Sequence, residues 1–282
     1  MGTSLGYLTS LFPAATSGGG DLLSALYGYG SNGTSAARQN PILALRAAEK
    51  NSAQGIKMTA AEPEVQRAIS KFTAAVTNAK SVDQLLADPA VLPVLLTANG
   101  LGNQTSYTAL ATRALTSDLK DPKSLANTLT DTRWKPVVET YDFANKGLSV
   151  IQKPEVISTI ANAYAEITWR QSLDETTPGL SNALSFRANG TSISSVYQIL
   201  GDPMLRTVVT TVLGLPLQIA LQPLEAQEKA ISSRLDITQF KDQKFVEQFA
   251  QRYLIAANAA AAGSNQTPSL DAIAVQARGL VV

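Results

Sequence analysis

The chain carries one pattern twice. When its 282 residues are shifted by 114, Val82, Gln84, Leu86, Asp88, Pro89, Gly100 and Leu101 fall on Val196, Gln198, Leu200, Asp202, Pro203, Gly214 and Leu215. Leu85 meets Ile199, which keeps the apolar character. A repeat constrains the fold more than any single motif, because one supersecondary unit has to serve both copies. The matched positions are those that start and stop helices. Asp88-Pro89 and Asp202-Pro203 read as an N-cap followed by proline at the first helical position. The carboxylate accepts bonds from orphan amides, and proline gives up no donor the helix needs. Gly100 and Gly214 sit where a helix stop calls for a left-handed residue, and the leucine after each folds back as its apolar contact. Beyond this block, Leu119-Lys120-Asp121 resembles Phe240-Lys241-Asp242 at an offset of 121, so the second copy has a connection seven residues longer.

From about Pro41 the periodicity is helical. Val65, Ile69, Phe72 and Val76 recur at spacings of four, three and four behind Pro63. Val156, Ile160, Ala163 and Ile167 repeat that arithmetic behind Pro154, and Phe245, Phe249, Arg252 and Ala256 carry it near the end. There a snorkelling Arg252 is expected, with Tyr253 sharing the buried face. Thr207 to Leu213 is mostly β-branched and argues for a strand on propensity alone. Its counterpart, Pro93 to Asn99, is rich in Leu and Ala, and two copies of one unit share a conformation, so helix is predicted. The expected fold is all-α: an internally duplicated multi-helix domain with a flexible N-terminal tail. The expected divisions are a Gly/Ser/Thr-rich tail over residues 1–40, a first helical unit over 41–150, a second over 151–262 and a C-terminal tail over 263–282.

Within residues 1–40 two apolar patches, Leu5/Leu8/Phe12 and Leu22/Leu23/Leu26, have helical spacing. They mark either a mobile tail or a segment that orders against a partner or serves in export; Leu5, Leu8, Phe12, Leu22 and Leu26 are its candidate docking residues. The letters Gly28-x-Gly30-x-x-Gly33 match a dinucleotide fingerprint, but no strand precedes them and no strand–helix alternation follows, so no cofactor is expected.

Composition removes whole classes of function. The chain has no cysteine and no histidine, hence no disulfide, thiolate nucleophile, Cys/His zinc site or imidazole base. Twenty-three basic and 22 acidic residues leave no basic field to grip phosphates, so nucleic acid is not an expected partner. No apolar run has the length of a membrane helix, and the first basic residue is Arg38, too late for a secretory signal. Carboxylate pairs at Asp174-Glu175 and Asp118/Asp121 fall at expected helix ends, where acids are ordinary, and no oxygen-ligand cluster suggests a metal. Asp131 and Arg133 flank Thr132 before Trp134; a salt bridge or cap that orients the tryptophan is expected. Trp134 and Trp169 read as core anchors. No catalytic, cofactor or metal site is expected.

The stretches Leu85-Leu86-Ala87-Asp88-Pro89, Gly100-Leu101, Asp121-Pro122-Lys123-Ser124-Leu125-Ala126-Asn127 and Leu129-Thr130-Asp131-Thr132-Arg133-Trp134 resemble the domain of unknown function 1217 family of flagellated alphaproteobacteria. So do Tyr197-Gln198-Ile199-Leu200-Gly201-Asp202 and Val208-Val209-Thr210-Thr211-Val212-Leu213-Gly214-Leu215-Pro216. The resemblance spans roughly residues 60–257. Ala87-Asp88-Pro89-Ala90 and Gly201-Asp202-Pro203-Met204 depart from it, with prolines where members often carry charged or small residues. The resemblance implies a non-enzymatic structural or assembly component of the bacterial flagellum, in its basal body, rod or hook region, with other flagellar proteins as partners and export through the flagellar secretion system in prospect. The alternative is a cytoplasmic chaperone or regulatory module for flagellar subunits.

Overall fold

Proline sets where several helices begin. The computed structural model describes residues 40–264, and every regular element among them is helical. Helix α1 (Pro41–Lys50) opens behind Asn40, whose side chain accepts from the Ile42 and Leu43 amides. α2 (Ser52–Ala61) follows directly, and α3 (Pro63–Asn78) again has proline at its first position. Its stripe points inward as the periodicity predicts: Phe72 and Val76 are fully buried and Val65 nearly so. Short helices α4 (Val82–Ala87), α5 (Val91–Ala98), α6 (Thr108–Leu115), α7 (Leu125–Thr128), α8 (Trp134–Tyr141) and α9 (Phe143–Lys146) complete the first half. The long α10 (Pro154–Leu173) leads to α11 (Leu180–Asn189), α12 (Val196–Gly201), α13 (Pro203–Val212), α14 (Leu224–Ser232) and the long α15 (Gln243–Ser264). The β-branched run Thr207–Leu213 is helical through Val212, because Val208 and Val209 are fully buried by the core.

The stop signals take the expected form in both halves. Gly100 and Gly214 adopt φ of 74° and 59°. The Leu101 amide donates to the Leu96 carbonyl at 2.7 Å and the Leu215 amide to Thr210 at 2.9 Å, while each glycine amide bonds three residues back. These are Schellman closures, and the left-handed glycine makes them possible. The starts are less alike. Asp202 is the N-cap of α13, with Oδ1 accepting from Met204 and Leu205, and Pro203 is the first helical residue. Asp88 caps only a preceding turn, accepting from Ala90 at 2.9 Å, and α5 begins at Val91 rather than at Pro89. Pro93 is the cause. A helix starting at Pro89 would need a donor from residue 93, which proline lacks; starting at Val91 leaves Pro93 in the first turn, where amides have no intrahelical partner. The equivalent of Pro93 is Thr207, which carries an amide.

A further match was not read from the sequence. Ser81 and Ser195 both accept from the amide three residues on, Gln84 and Gln198, at 3.1 Å. The two glutamines reach back to the Lys80 and Ser194 amides at 2.8 and 3.1 Å. This is a capping-box arrangement, with the return bond one residue earlier than usual.

Two buried clusters form the interior. One gathers α3 to α9 around Phe72, Leu95, Leu96 and Trp134; the other gathers α11 to α15 around Phe186, Phe240 and Phe249. The chain does not divide between them at one point. Leu45 and Ala48 of α1 belong to the second cluster, held there also by Arg187, which pairs with Glu49 and, at 3.7 Å, with Glu247. α10 serves both, giving Ile160 to the first and Trp169 to the second. Trp134 and Trp169 are core residues, 1% and 8% exposed. Gly55 lets α2 approach α10: a Cβ there would lie 2.2 Å from Trp169 Nε1. The candidate tail residues Leu5, Leu8, Phe12, Leu22 and Leu26, and Gly28, Gly30 and Gly33, lie outside the described residues.

Candidate functional site

One concavity is built where the first helix-stop region and the second helix start converge. A cleft of about 720 Å³ lies between the end of α5, the start of α13, α8, α10 and α11. Its first wall is the Schellman turn at Asn99 and Gly100, with Asn103 beyond it; its second is Asp202, Pro203 and Met204. α11 adds Ser181, Asn182, Ser185 and Asn189, and Val137 and Ile167 supply apolar surface. Thus Gly100, Asp202 and Pro203, expected as repeat caps, meet in one place, while Gly214 lies elsewhere and Asp88 and Pro89 line a separate concavity with Lys71 and Gln84.

The polar side chains of the cleft are mostly committed. Arg133 pairs with Asp131 at 2.7 Å, donates to the Gly100 carbonyl and reaches Asn103 Oδ1 at 3.1 Å. The expected Asp131–Arg133 bridge therefore exists, and it does more than orient Trp134: it latches the end of α5. Asp202 spends its carboxylate on the start of α13. Two carboxamide–phenol pairs stand behind the walls. Asn99 Nδ2 bonds the Tyr141 hydroxyl at 3.0 Å, and Asn182 Nδ2 bonds that of Tyr253 at 3.1 Å. Burial pushes both phenols above their usual pKa, against the stabilising bond from each asparagine; the charge of Asp174 adds to the effect at Tyr253. Asp174 itself is raised by burial, opposed by backbone bonds from Ser181, Gly179 and Leu180. It lies behind the start of α11, accepting from the Ser181 amide at 2.8 Å. Asp118 and Asp121 each close a local turn, onto Lys120 and Lys123. Among the described residues no three His, Cys, Asp or Glu side chains converge as a metal site would require, and no helix is long and apolar enough to cross a membrane.

The two halves touch beside this cleft. The Thr132 amide donates to the Gly201 carbonyl at 3.0 Å, and a Cβ on Gly201 would lie 2.4 Å from Thr132 Cγ2. Gly201 is therefore a close-approach position between the Asp131–Arg133 latch and the start of α13, a role the sequence alone did not reveal.

Fold and site together define an all-helical protein with a neutral, hydrogen-bonding cleft whose charged groups are used as caps and latches. The chain belongs to the family of proteins of unknown function DUF1217, whose family model matches residues 98–246. Its fold is similar to that of an Agrobacterium tumefaciens protein known by crystal structure, with 23% sequence identity and a TM-score of 0.65, over 77% of this chain and 92% of that one. No curated protein matches the sequence.

Proposed function

We propose that the protein is a non-catalytic structural or assembly component of the bacterial flagellum that works by binding other proteins. One observation favours binding over catalysis. The two charged groups of the cleft, Arg133 and Asp202, are held by a helix end and a helix start, so neither is free to exchange protons with a substrate. What remains at the surface is carboxamide, hydroxyl and short apolar surface, the chemistry of a recognition site. The assignment to the flagellum rests on the family resemblance in the capping and latch motifs.

Fractionation tests this reading. In flagellated cells the protein is expected in purified basal bodies or, if exported, in the culture medium. Its absence from both overturns incorporation and export. Recovery from the cytoplasm in a complex with one flagellar subunit would replace the structural role with that of an assembly chaperone.

A further inference from the structure

The cleft between α5, α8, α10, α11 and α13 is lined by one cation and one anion, Arg133 and Asp202, and both are engaged in helix ends. A charged ligand therefore finds no free countercharge in it. Its lining has no aromatic side chain, so a nucleobase or sugar ring finds no face on which to stack. What it does offer is uncommitted hydrogen-bonding atoms of both kinds. Gln171 and Ser181 make no side-chain hydrogen bond among the described residues. Asn182 and Asn189 spend Nδ2 on the Tyr253 hydroxyl and the Ser185 carbonyl, which leaves each Oδ1 as an acceptor. Asn103 is the reverse: its Oδ1 accepts from Arg133, and its Nδ2 remains a donor.

Donor and acceptors thus come from different elements, Asn103 from beyond the α5 stop and the other two asparagines from α11. A trans peptide unit matches such a pair of surfaces, because its C=O and N–H point to opposite sides of the chain. An extended segment repeats that match, and bonds to its main chain place few demands on its side chains. Pro136, Ile167 and Met204, none of them fully buried, add apolar surface for small uncharged side chains. We propose that the cleft binds an extended, uncharged segment of a partner protein, held by its main chain between Asn103 and the α11 asparagines. The assignment rests on the reading of the protein as one that works by binding others, and it names the chemistry of the partner.

The full chain, immobilised, is used to select from a phage library of random linear peptides, and an enriched peptide is synthesised and titrated by fluorescence anisotropy. The enriched sequences are expected to be poor in Asp, Glu, Lys and Arg. N-methylation of single main-chain amides is expected to weaken binding about tenfold at one position or more, the loss of one hydrogen bond. Gln171→Ala combined with Ser181→Ala is expected to weaken it by a similar factor at unchanged Tm, since neither side chain bonds to the fold. Leu221→Ser, at a side chain 85% exposed and outside the cleft, is expected to leave binding unchanged. The absence of any enriched peptide, a charged consensus, indifference to N-methylation or to the cleft pair, or competition by dextran would each overturn the proposal. So would loss of binding through Leu221→Ser alone, which would leave a protein-binding component that uses another surface. The flagellar role stands or falls separately, on fractionation.

Discussion

Removing Arg133 tests whether the cleft wall is held by a latch or merely decorated by one. Arg133→Ala deletes the 2.7 Å pair with Asp131, the bond to the Gly100 carbonyl and the 3.1 Å bond to Asn103. The three losses differ in weight. Gly100 and Asn103 are exposed, so water replaces the guanidinium there at little cost. The ion pair is the larger part, because its side chains are only 16% and 14% exposed. An exposed pair contributes at most about 1 kcal/mol, and breaking a buried one costs about 3–5 kcal/mol. Asp131 keeps its bond from the Arg133 amide at 3.1 Å, which moderates the loss. A cost near 2 kcal/mol follows, or roughly 4–8 °C in Tm for a chain of this size. Arg133→Lys restores charge but not the fork, and recovers less than half of it. Thermal and urea unfolding of Arg133→Ala, Arg133→Lys, Asp131→Ala and the Asp131→Ala/Arg133→Ala double variant provide the check. Strict additivity, or a shift in Arg133→Ala below about 1 °C, would show that the latch contributes nothing to the wall.

Other consequences follow from single contacts. Gly201→Ala pushes a methyl into Thr132 and the Thr130 carbonyl; a loss of about 1–3 kcal/mol is expected in urea unfolding, partly recovered by Thr132→Ser, which removes the nearest methyl. Thr207→Pro removes an amide donor inside α13 and costs about 3 kcal/mol or more, while Pro93→Thr has no such penalty; similar losses from both would contradict the account of why the two helices start differently. Asp174 has a raised pKa, so its protonated form favours the folded state below the usual carboxylate range and that contribution is lost as pH rises through the raised value. Melting of Asp174→Asn across pH 4–7 should therefore show the variant gaining on the wild type as pH rises, and a constant difference would refute it. Finally, a chain cut between residues 150 and 151 should give fragments that lack cooperative unfolding alone and regain it when mixed; two independent cooperative melts would show that the cores do not depend on each other.

What was legible in the sequence is what is encoded locally. A left-handed glycine and the leucine after it act within one turn, so Gly100 and Gly214 could be read without knowing any neighbour. The same holds for Pro63 and Pro154. The start at Asp88 was misplaced because two local signals compete there, and Pro93, the less conspicuous, decides the outcome. The capping boxes were also present, as Ser81-x-x-Gln84 and Ser195-x-x-Gln198, and the repeated glutamine was the signal that would have found them. The cleft was not legible. Its walls come from residues as distant as Thr97 and Thr207, and nothing in a capping motif specifies which other helix end it will face. Nor does an amphipathic face name its partner: Leu45 marks α1 as half-buried, but not as part of the core built by residues far along the chain.

That interchange of elements bears on how the site exists at all. Matching caps and stops suggest two units that close by the same local rules. Yet α10 places Ile160 in one core and Trp169 in the other, about 13 Å apart along a single rigid helix, and α1 crosses from the first half to brace the second. A disturbance in either core therefore reaches the other through a helix rather than through a loose linker. The cleft lies across this joint, with the α5 stop on one side and the α13 start on the other. Gly201 and Thr132 fix the spacing between them by a backbone bond at 3.0 Å. The geometry of the cleft is thus set by helix ends, the Arg133 latch and one close approach. Substituting the exposed Asn189 leaves the shape of the cleft intact, whereas substituting Gly201 forces its two walls apart.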